Sequence, residues 1–209
     1  MKVVLAQINP TVGDLDNNAR KITEIIRQYS DKCDIIIFPE MVLTGYPPQD
    51  LLLEESFIQK VHDALENITK SVGKTLVIIG TIRQNAQNLF NTAAVLQDGL
   101  VTAYRDKTHL PTYDVFEEDR YFTPAESRDP VKSNLNGQFL KLGLQICEDL
   151  WDEDYDIKVS RQLCAQGADI LINIKKQSFC CSYNAQQNMY RCSVHCYTHN
   201  DIHFACNKN

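Results

Sequence analysis

Asp34-Ile35-Ile36-Ile37-Phe38-Pro39-Glu40 is the stretch that decides the fold. Its four consecutive apolar residues, three of them β-branched, do not alternate with polar ones. Such a run fits a strand covered on both faces, as in layered α/β proteins. Pro39 has no N–H for a ladder and stops the strand, which leaves the carboxylate of Glu40 at its end. Upstream, Lys2–Ile8 reads as a strand. Asp14–Lys32 reads as a helix, because Ala19, Ile22, Ile25, Ile26 and Tyr29 fall on one face at helical spacing.

Downstream, residues 41–53 form a long loop holding Thr44-Gly45-Tyr46-Pro47-Pro48. Glu54–Val72 is a second amphipathic helix, with Phe57, Ile58, Val61, Leu65, Ile68 and Val72 on one side. Thr75–Ile82 is a strand, and residues 89–106 are a hairpin that turns at Asp98-Gly99, a strong hairpin dipeptide. Lys107 closes that hairpin and opens another long loop, to about Pro124. Phe139–Ile146 is a strand that delivers Cys147, residues 155–166 a short helix, and Ala168–Ile174 a strand. Strands alternating with helices imply layered α/β with a largely buried sheet.

The bulk composition narrows the function classes. A length of 209 residues suits one domain with a real core. A net charge of −6 without a Lys/Arg stripe argues against nucleic acid as a partner. No apolar run approaches the roughly 18–20 residues that span a bilayer. Met1-Lys2 followed only by Val3–Ala6 lacks the apolar region of a secretory signal, so a cytoplasmic location is expected. Cys33, Cys147 and Cys164 are too few to staple the main body, which points to reduced thiols.

Residues 1–174 read as one unit and 175–209 as its divergent end. The first carries 17 basic against 26 acidic residues; the second has four Lys/Arg, one Asp and no Glu, and five of the eight cysteines. The shift falls at Lys175-Lys176. In this end, residues 184–199 fit a helix with Met189, Cys192, Val194 and Cys196 partly packed. A rival reading places a zinc ion on Cys192, Cys196, His199 and His203, with His195, His199 and His203 recurring every four residues. The spacing departs from the usual paired-cysteine pattern, so no metal site is assigned.

Three reactive side chains stand where strands give way to loops, and in layered α/β proteins sites form outside strand ends. Amide hydrolysis needs what they supply: Cys147 as nucleophile, Glu40 as general base and acid, and Lys107 to stabilise the oxyanion, with the backbone N–H of Glu148 as a second donor. A nearby ammonium is expected to favour the Cys147 thiolate, and burial to raise the pKa of the glutamate.

The local strings carry a resemblance. Phe38-Pro-Glu40-Met-Val-Leu-Thr-Gly-Tyr-Pro-Pro48, with Asp50-Leu-Leu-Leu53, resembles the glutamate motif of the nitrilase (carbon–nitrogen hydrolase) superfamily. Its extension is similar to that of the glutaminase domain of glutamine-dependent NAD+ synthetases. Lys107-Thr-His-Leu-Pro-Thr-Tyr113, continuing through Glu118 to Phe122, resembles the lysine motif. Leu144-Gln-Ile-Cys147-Glu-Asp-Leu-Trp151 resembles the cysteine motif.

The resemblance runs from Met1 to about Ile174. It implies an αββα sandwich, usually paired into larger assemblies, and a catalytic triad of Glu40, Lys107 and Cys147. It further implies that Glu118 supports the lysine and the bound amide, and that Tyr113, Tyr46 and Trp151 line a glutamine pocket. In such enzymes the ammonia passes to a synthetase domain that uses ATP and Mg2+. No Ser-Gly-Gly-x-Asp-Ser phosphate loop is present, so this chain alone is not expected to make NAD+; no cofactor is expected for this part, and a separate synthetase chain is a possible partner.

The resemblance breaks at Lys175-Lys-Gln-Ser-Phe179, where the family's substrate-holding serine and basic residue have no match. Ile202–Asn207 resembles the next strand, after which the sheet is expected to be incomplete, with a tail decayed or altered in reading frame. Two other functions stay open on the sequence alone: a stand-alone amidase for another small amide, and an inactive remnant or partner-binding subunit.

Overall fold

In the computed structural model, Ile35, Ile36 and Ile37 form the short strand β2 (Ile35–Ile37) and are wholly buried, as the unalternating run predicts. Described are residues 1–86, 88–113 and 116–175, and, as backbone alone, 176, 190–195 and 203–208. Around β2 lie β1 (Lys2–Gln7) and β3 (Leu76–Asn85), both parallel to it, with Val3 beside Ile35 and Ile35 beside Leu76. Parallel neighbours need crossovers, and the two amphipathic helices provide them: α1 (Leu15–Tyr29) and α2 (Glu55–Thr69). The Asp14 side chain caps α1 by accepting from the Asn17 N–H at 3.3 Å.

Beyond β3 the chain meanders antiparallel through β4 (Asn88–Gln97) and β5 (Leu100–Asp106). The Asp98-Gly99 turn falls where the dipeptide places it. The β3–β4 pairing is longer than the sequence indicates, because residues 83–85 and 88 extend the two strands. A second sheet is built from β6 (Val131–Leu135), β7 (Gln138–Ile146) and β8 (Ile170–Lys176), with α3 (Val159–Ala165) crossing from β7 to β8. Strand β6 was not predicted; its five residues pair with β7 across the Asn136-Gly137 turn, and this pairing supplies partners for β7's outer edge.

Side-chain alternation sorts the core into layers. Ile36, Phe38, Val77 and Ile79 point to one side and meet Ile22, Ile26, Val61 and Leu65 of α1 and α2. Ile35, Ile37, Leu76 and Ile78 point to the other and meet Leu142, Leu144, Ile146, Ile172 and Ile174 of the second sheet. On that sheet's outer face, Leu171 packs on Val159 and Leu163 of α3. The order helices, sheet, sheet, helix is the αββα sandwich expected. Removing one of these buried side chains to Ala costs about 2–5 kcal/mol.

One reading of the divergent end is corrected. The proposed helix 184–199 is replaced over Tyr190–His195 by strand β9, antiparallel to β8, with Ile174 beside Cys192. Without β9, β8 would present a row of unpaired backbone groups at a sheet edge, and ladder pairing outweighs a weak helical periodicity there. The rest of that stretch, and the side chains of the zinc reading, lie outside the described residues. Strand β10 (His203–Lys208) pairs in parallel with β1, as the Ile202–Asn207 reading anticipates. No helix among the described residues is long and apolar enough to cross a membrane.

The loop after β2 is pinned from two sides. Asn18 of α1 accepts from the Thr11 N–H at 2.9 Å and donates to Leu43 O at 3.0 Å. Gly80 of β3 lies under Glu40: a Cβ there would meet Pro39 O, would sit 2.5 Å from Glu40 Cα and would be 2.6 Å from Met41 N. All three are backbone atoms and cannot swing aside. Gly80→Ala should therefore lower stability in urea titration by about 1–3 kcal/mol through forced backbone movement. An unchanged unfolding midpoint would show that the turn carrying Glu40 does not need this close approach.

Candidate active site

Each of the three reactive residues follows a strand end. Glu40 comes after β2 and Pro39, Lys107 directly after β5, and Cys147 directly after β7. The two sheets face each other, so these ends open at one place. Lys107 is the centre: its Nζ donates to Glu40 Oε1 at 2.9 Å and to Glu118 Oε1 and Oε2 at 2.9 and 2.8 Å. Lys107 and Glu40 are each about 1% exposed and Glu118 5%, so these ion pairs are formed almost out of water. Burial by itself would lower the Lys107 pKa, but Glu40 and Glu118 more than reverse this and raise it well above the usual lysine value. Lys107 stays an ammonium.

Glu118 enters from the loop after Lys107. Its carboxyl pKa is raised, first by burial and further by Glu40, against the pull of Lys107. Tyr46 donates its OH to Glu118 Oε1 at 2.9 Å. The Tyr46 pKa is pushed far up by burial and then by the two carboxylates, which keeps it a neutral donor. Asn91, in the middle of β4, donates from Nδ2 to Glu40 Oε1 at 2.8 Å. The sequence reading missed Asn91; the available signal was a polar side chain inside an apolar strand.

Cys147 has φ +48°, a left-handed conformation rare for a residue with a Cβ. The turn is held from below. Asn173 of β8 donates to Cys147 O at 3.2 Å. Asp149 accepts from the N–H groups of Thr108 and His109 at 2.9 Å on one oxygen and of Ile146 at 3.1 Å on the other. Asp149 thus ties the lysine loop to the cysteine loop, and it too went unrecognised in the sequence as a positioning residue. Its carboxyl pKa is raised by burial, although the N–H groups of His109 and Ile146 and the charges of Lys107 and Arg105 oppose the shift.

The protonation expected for Cys147 is corrected. Its thiol pKa lies well above the ordinary cysteine value, because burial and the charge of Glu40 outweigh the lowering effect of Lys107. The ammonium does not face the sulfur alone; it is already engaged by two carboxylates. The thiol is therefore neutral at pH 7 and needs a base to take its proton.

A cavity of about 300 Å³ opens on this cluster, lined by Glu40, Glu118 and Cys147 together with Tyr46, Tyr113, Glu148 and Trp151, and with Pro111, Phe116 and Lys175. All the predicted pocket residues line it. Lys107 lies behind the two glutamates rather than in the wall. Glu148 is clamped: Tyr113 OH donates to its oxygens at 3.0 and 3.2 Å and Tyr155 OH at 3.1 Å. The Tyr155 pKa is pushed up to about 12 by burial and by Glu148. Nothing in the sequence marks Tyr155, which reaches the site by stacking on His109 with ring centroids 3.9 Å apart. Trp151, 60% exposed, forms the lip.

The raised thiol pKa has a direct readout. Alkylation of Cys147 by iodoacetamide, followed on its peptide by mass spectrometry, should accelerate about tenfold per pH unit from roughly pH 7 to roughly pH 9 without levelling off. A plateau beginning below neutral pH would mean a preformed thiolate.

Comparison with known proteins agrees with this architecture. The model of the carbon-nitrogen hydrolase family matches residues 2–200. The glutamine-dependent NAD(+) synthetase of Synechocystis is 33% identical over 196 residues, which is 86% of this chain and 34% of the relative. That of Aquifex aeolicus is 37% identical over 180 residues, 86% of this chain and 30% of the relative. The solved glutamine-dependent NAD+ synthetase of Acinetobacter baumannii superimposes with a TM-score of 0.75 at 31% identity, over 84% of this chain and 32% of that one. The chain thus spans about a third of the length of these relatives. A family match over nearly the whole sequence, on a sandwich whose strand ends assemble one buried Glu–Lys–Glu cluster beside a cysteine, places this chain in the carbon–nitrogen hydrolase family.

Proposed function

We propose that the chain hydrolyses the side-chain amide of glutamine to glutamate and ammonia, with Cys147 as nucleophile, and that the ammonia serves NAD+ synthesis on a synthetase carried elsewhere. The observation that supports this most is that Glu40 and Cys147 line the same cavity while Lys107 grips Glu40 from behind. A neutral thiol beside a carboxylate is the arrangement in which the carboxylate must act as base.

Glu40 takes the Cys147 proton as sulfur attacks the amide carbon. The negative charge that develops on the amide oxygen is met by Lys107 and by the backbone N–H of Glu148. The ammonium's hydrogen bonds go to the two carboxylates, so its share is the field of a fixed positive charge behind them, and the backbone N–H is the direct donor. Collapse of the tetrahedral intermediate breaks the C–N bond, and Glu40 hands its proton to the departing nitrogen. This leaves a thioester on Cys147 and free ammonia. Glu40 then takes a proton from water as the water attacks the thioester carbon. The C–S bond breaks, glutamate leaves, and the proton returns to the sulfur.

Glu118 and Asn91 do not react; they hold Lys107 and Glu40 in place. In the wall of the same cavity, Glu148, fixed by two tyrosine hydroxyls, suits the α-ammonium of an amino acid. Tyr113 and Trp151 cover the carbon chain between. The relatives are named for glutamine dependence, and the Glu148 carboxylate in the cavity wall favours a substrate with a cationic group over a simple aliphatic amide.

The test is ammonia release from glutamine by the purified chain, alone and with an added synthetase chain. Release should fall to background in Cys147→Ala and in Glu40→Gln. Acid quenching of the wild type should trap a glutamyl adduct on the Cys147 peptide. Undiminished release from Cys147→Ala would overturn the mechanism.

A further inference from the structure

Where the family resemblance loses its substrate-holding serine and basic residue, the chain places a lysine. Strand β8 pairs in parallel with β7 in the register Gln145 beside Asn173 and Ile146 beside Ile174. One residue past the last registered pair, Lys175 continues β8 while Cys147 begins the turn after β7. Alternation decides where it points. Ile172 and Ile174 face the first sheet in the intersheet core. Leu171 and Asn173 face the other way, Leu171 against α3 and Asn173 onto the Cys147 carbonyl. Lys175 belongs to this second set, and it lines the cavity with Glu40, Cys147, Glu148 and Trp151.

Its Nζ lies over the Trp151 ring, 5.6 Å from the centroid, a contact that steers an ammonium without neutralising it. Among the described residues it enters none of the ion pairs. The cavity's carboxylates are otherwise engaged: Glu40 and Glu118 by Lys107, and Glu148 by two tyrosine hydroxyls. The wall therefore carries one fixed anion, Glu148, and one cation held by an aromatic face, both near the nucleophile.

We propose that Lys175 binds the α-carboxylate of the substrate, so that Glu148 and Lys175 together select an α-amino-acid amide through opposite charges. This rests on the glutamine reading above and deepens it. A charged donor on β8, lining the same cavity, makes a charge-assisted hydrogen bond to such a carboxylate.

The experiment separates the two claims by measuring binding without turnover. In the Cys147→Ala protein, calorimetry compares glutamine with L-glutaminol, which keeps the amide and the amine but has no carboxylate. Adding Lys175→Met, which retains the stem against Trp151, should weaken glutamine binding by about tenfold or more, the effect of losing one charge-assisted hydrogen bond. Glutaminol binding should shift by less than about twofold, and Lys175→Arg should restore most of the glutamine affinity. Equal weakening for both ligands, unchanged glutamine affinity in Lys175→Met, or no glutamine binding to Cys147→Ala would each overturn the assignment. If glutamine binds as expected while the wild type releases no ammonia, the assignment of Lys175 stands and the hydrolysis reading fails.

Discussion

A lysine ammonium buried between two carboxylates is the constraint on which the site depends. Taking such an ion from water costs several kcal/mol even after relaxation, and only excellent geometry offsets it. Lys107 meets that demand with contacts of 2.8–2.9 Å to Glu40 and Glu118. The surrounding donors then follow as necessities. Asn91 and Tyr46 donate further hydrogen bonds to the same carboxylates, to Glu40 Oε1 and Glu118 Oε1. Because every member is engaged, the cluster fixes the position of Glu40 independently of any substrate. Fixed charge next to the reacting bond stabilises a transition state without reorganisation at the moment of reaction.

The sandwich exists, in functional terms, to bring the two loops around this cluster into one place. The first sheet delivers Glu40, Asn91 and Lys107, and the second delivers Cys147. The intersheet core of Ile35, Ile37, Leu144 and Ile146 sets the distance between them. Asp149 makes the link specific, since its carboxyl receives N–H groups from both the lysine loop and the cysteine strand. Arg105 adds a second bridge, donating from β5 to Leu144 O at 3.1 Å and to Ser127 O. The same cluster also accounts for the thiol. An ammonium that satisfies two carboxylates has little left to lower the pKa of a buried sulfur, so the thiol stays neutral, and the mechanism proposed above therefore calls on a base.

Much of the fold was legible because it is written in local pattern. The unalternating Ile35–Phe38 run announced a doubly covered strand, helical periodicity announced α1 and α2, and Asp98-Gly99 announced the β4–β5 turn. Strand β6 escaped because Val131–Leu135 is short and mixed in character, and its strand state comes from pairing with β7. The expected helix near residue 190 failed for the same reason in reverse: periodicity on a polar stretch is weak beside the need of β8 for a partner.

By itself the sequence determined the layers and the three residues at strand ends, because periodicity, Pro39 and the turn dipeptides act over a few neighbouring positions. The tertiary structure decided the chemistry. Lys107 meets Glu40 across 67 positions and Tyr46 meets Glu118 across 72, contacts that no local pattern encodes. Burial, which exists only once the sheets close, set the protonation of Cys147, and the convergence of Glu40 and Glu118 set that of Lys107 against burial. Strand register, rather than any motif, put Lys175 at the cavity wall. Desolvation and convergence are properties of the packed chain, and for that reason the reactive groups could be named from the sequence while their charge states and supports could not.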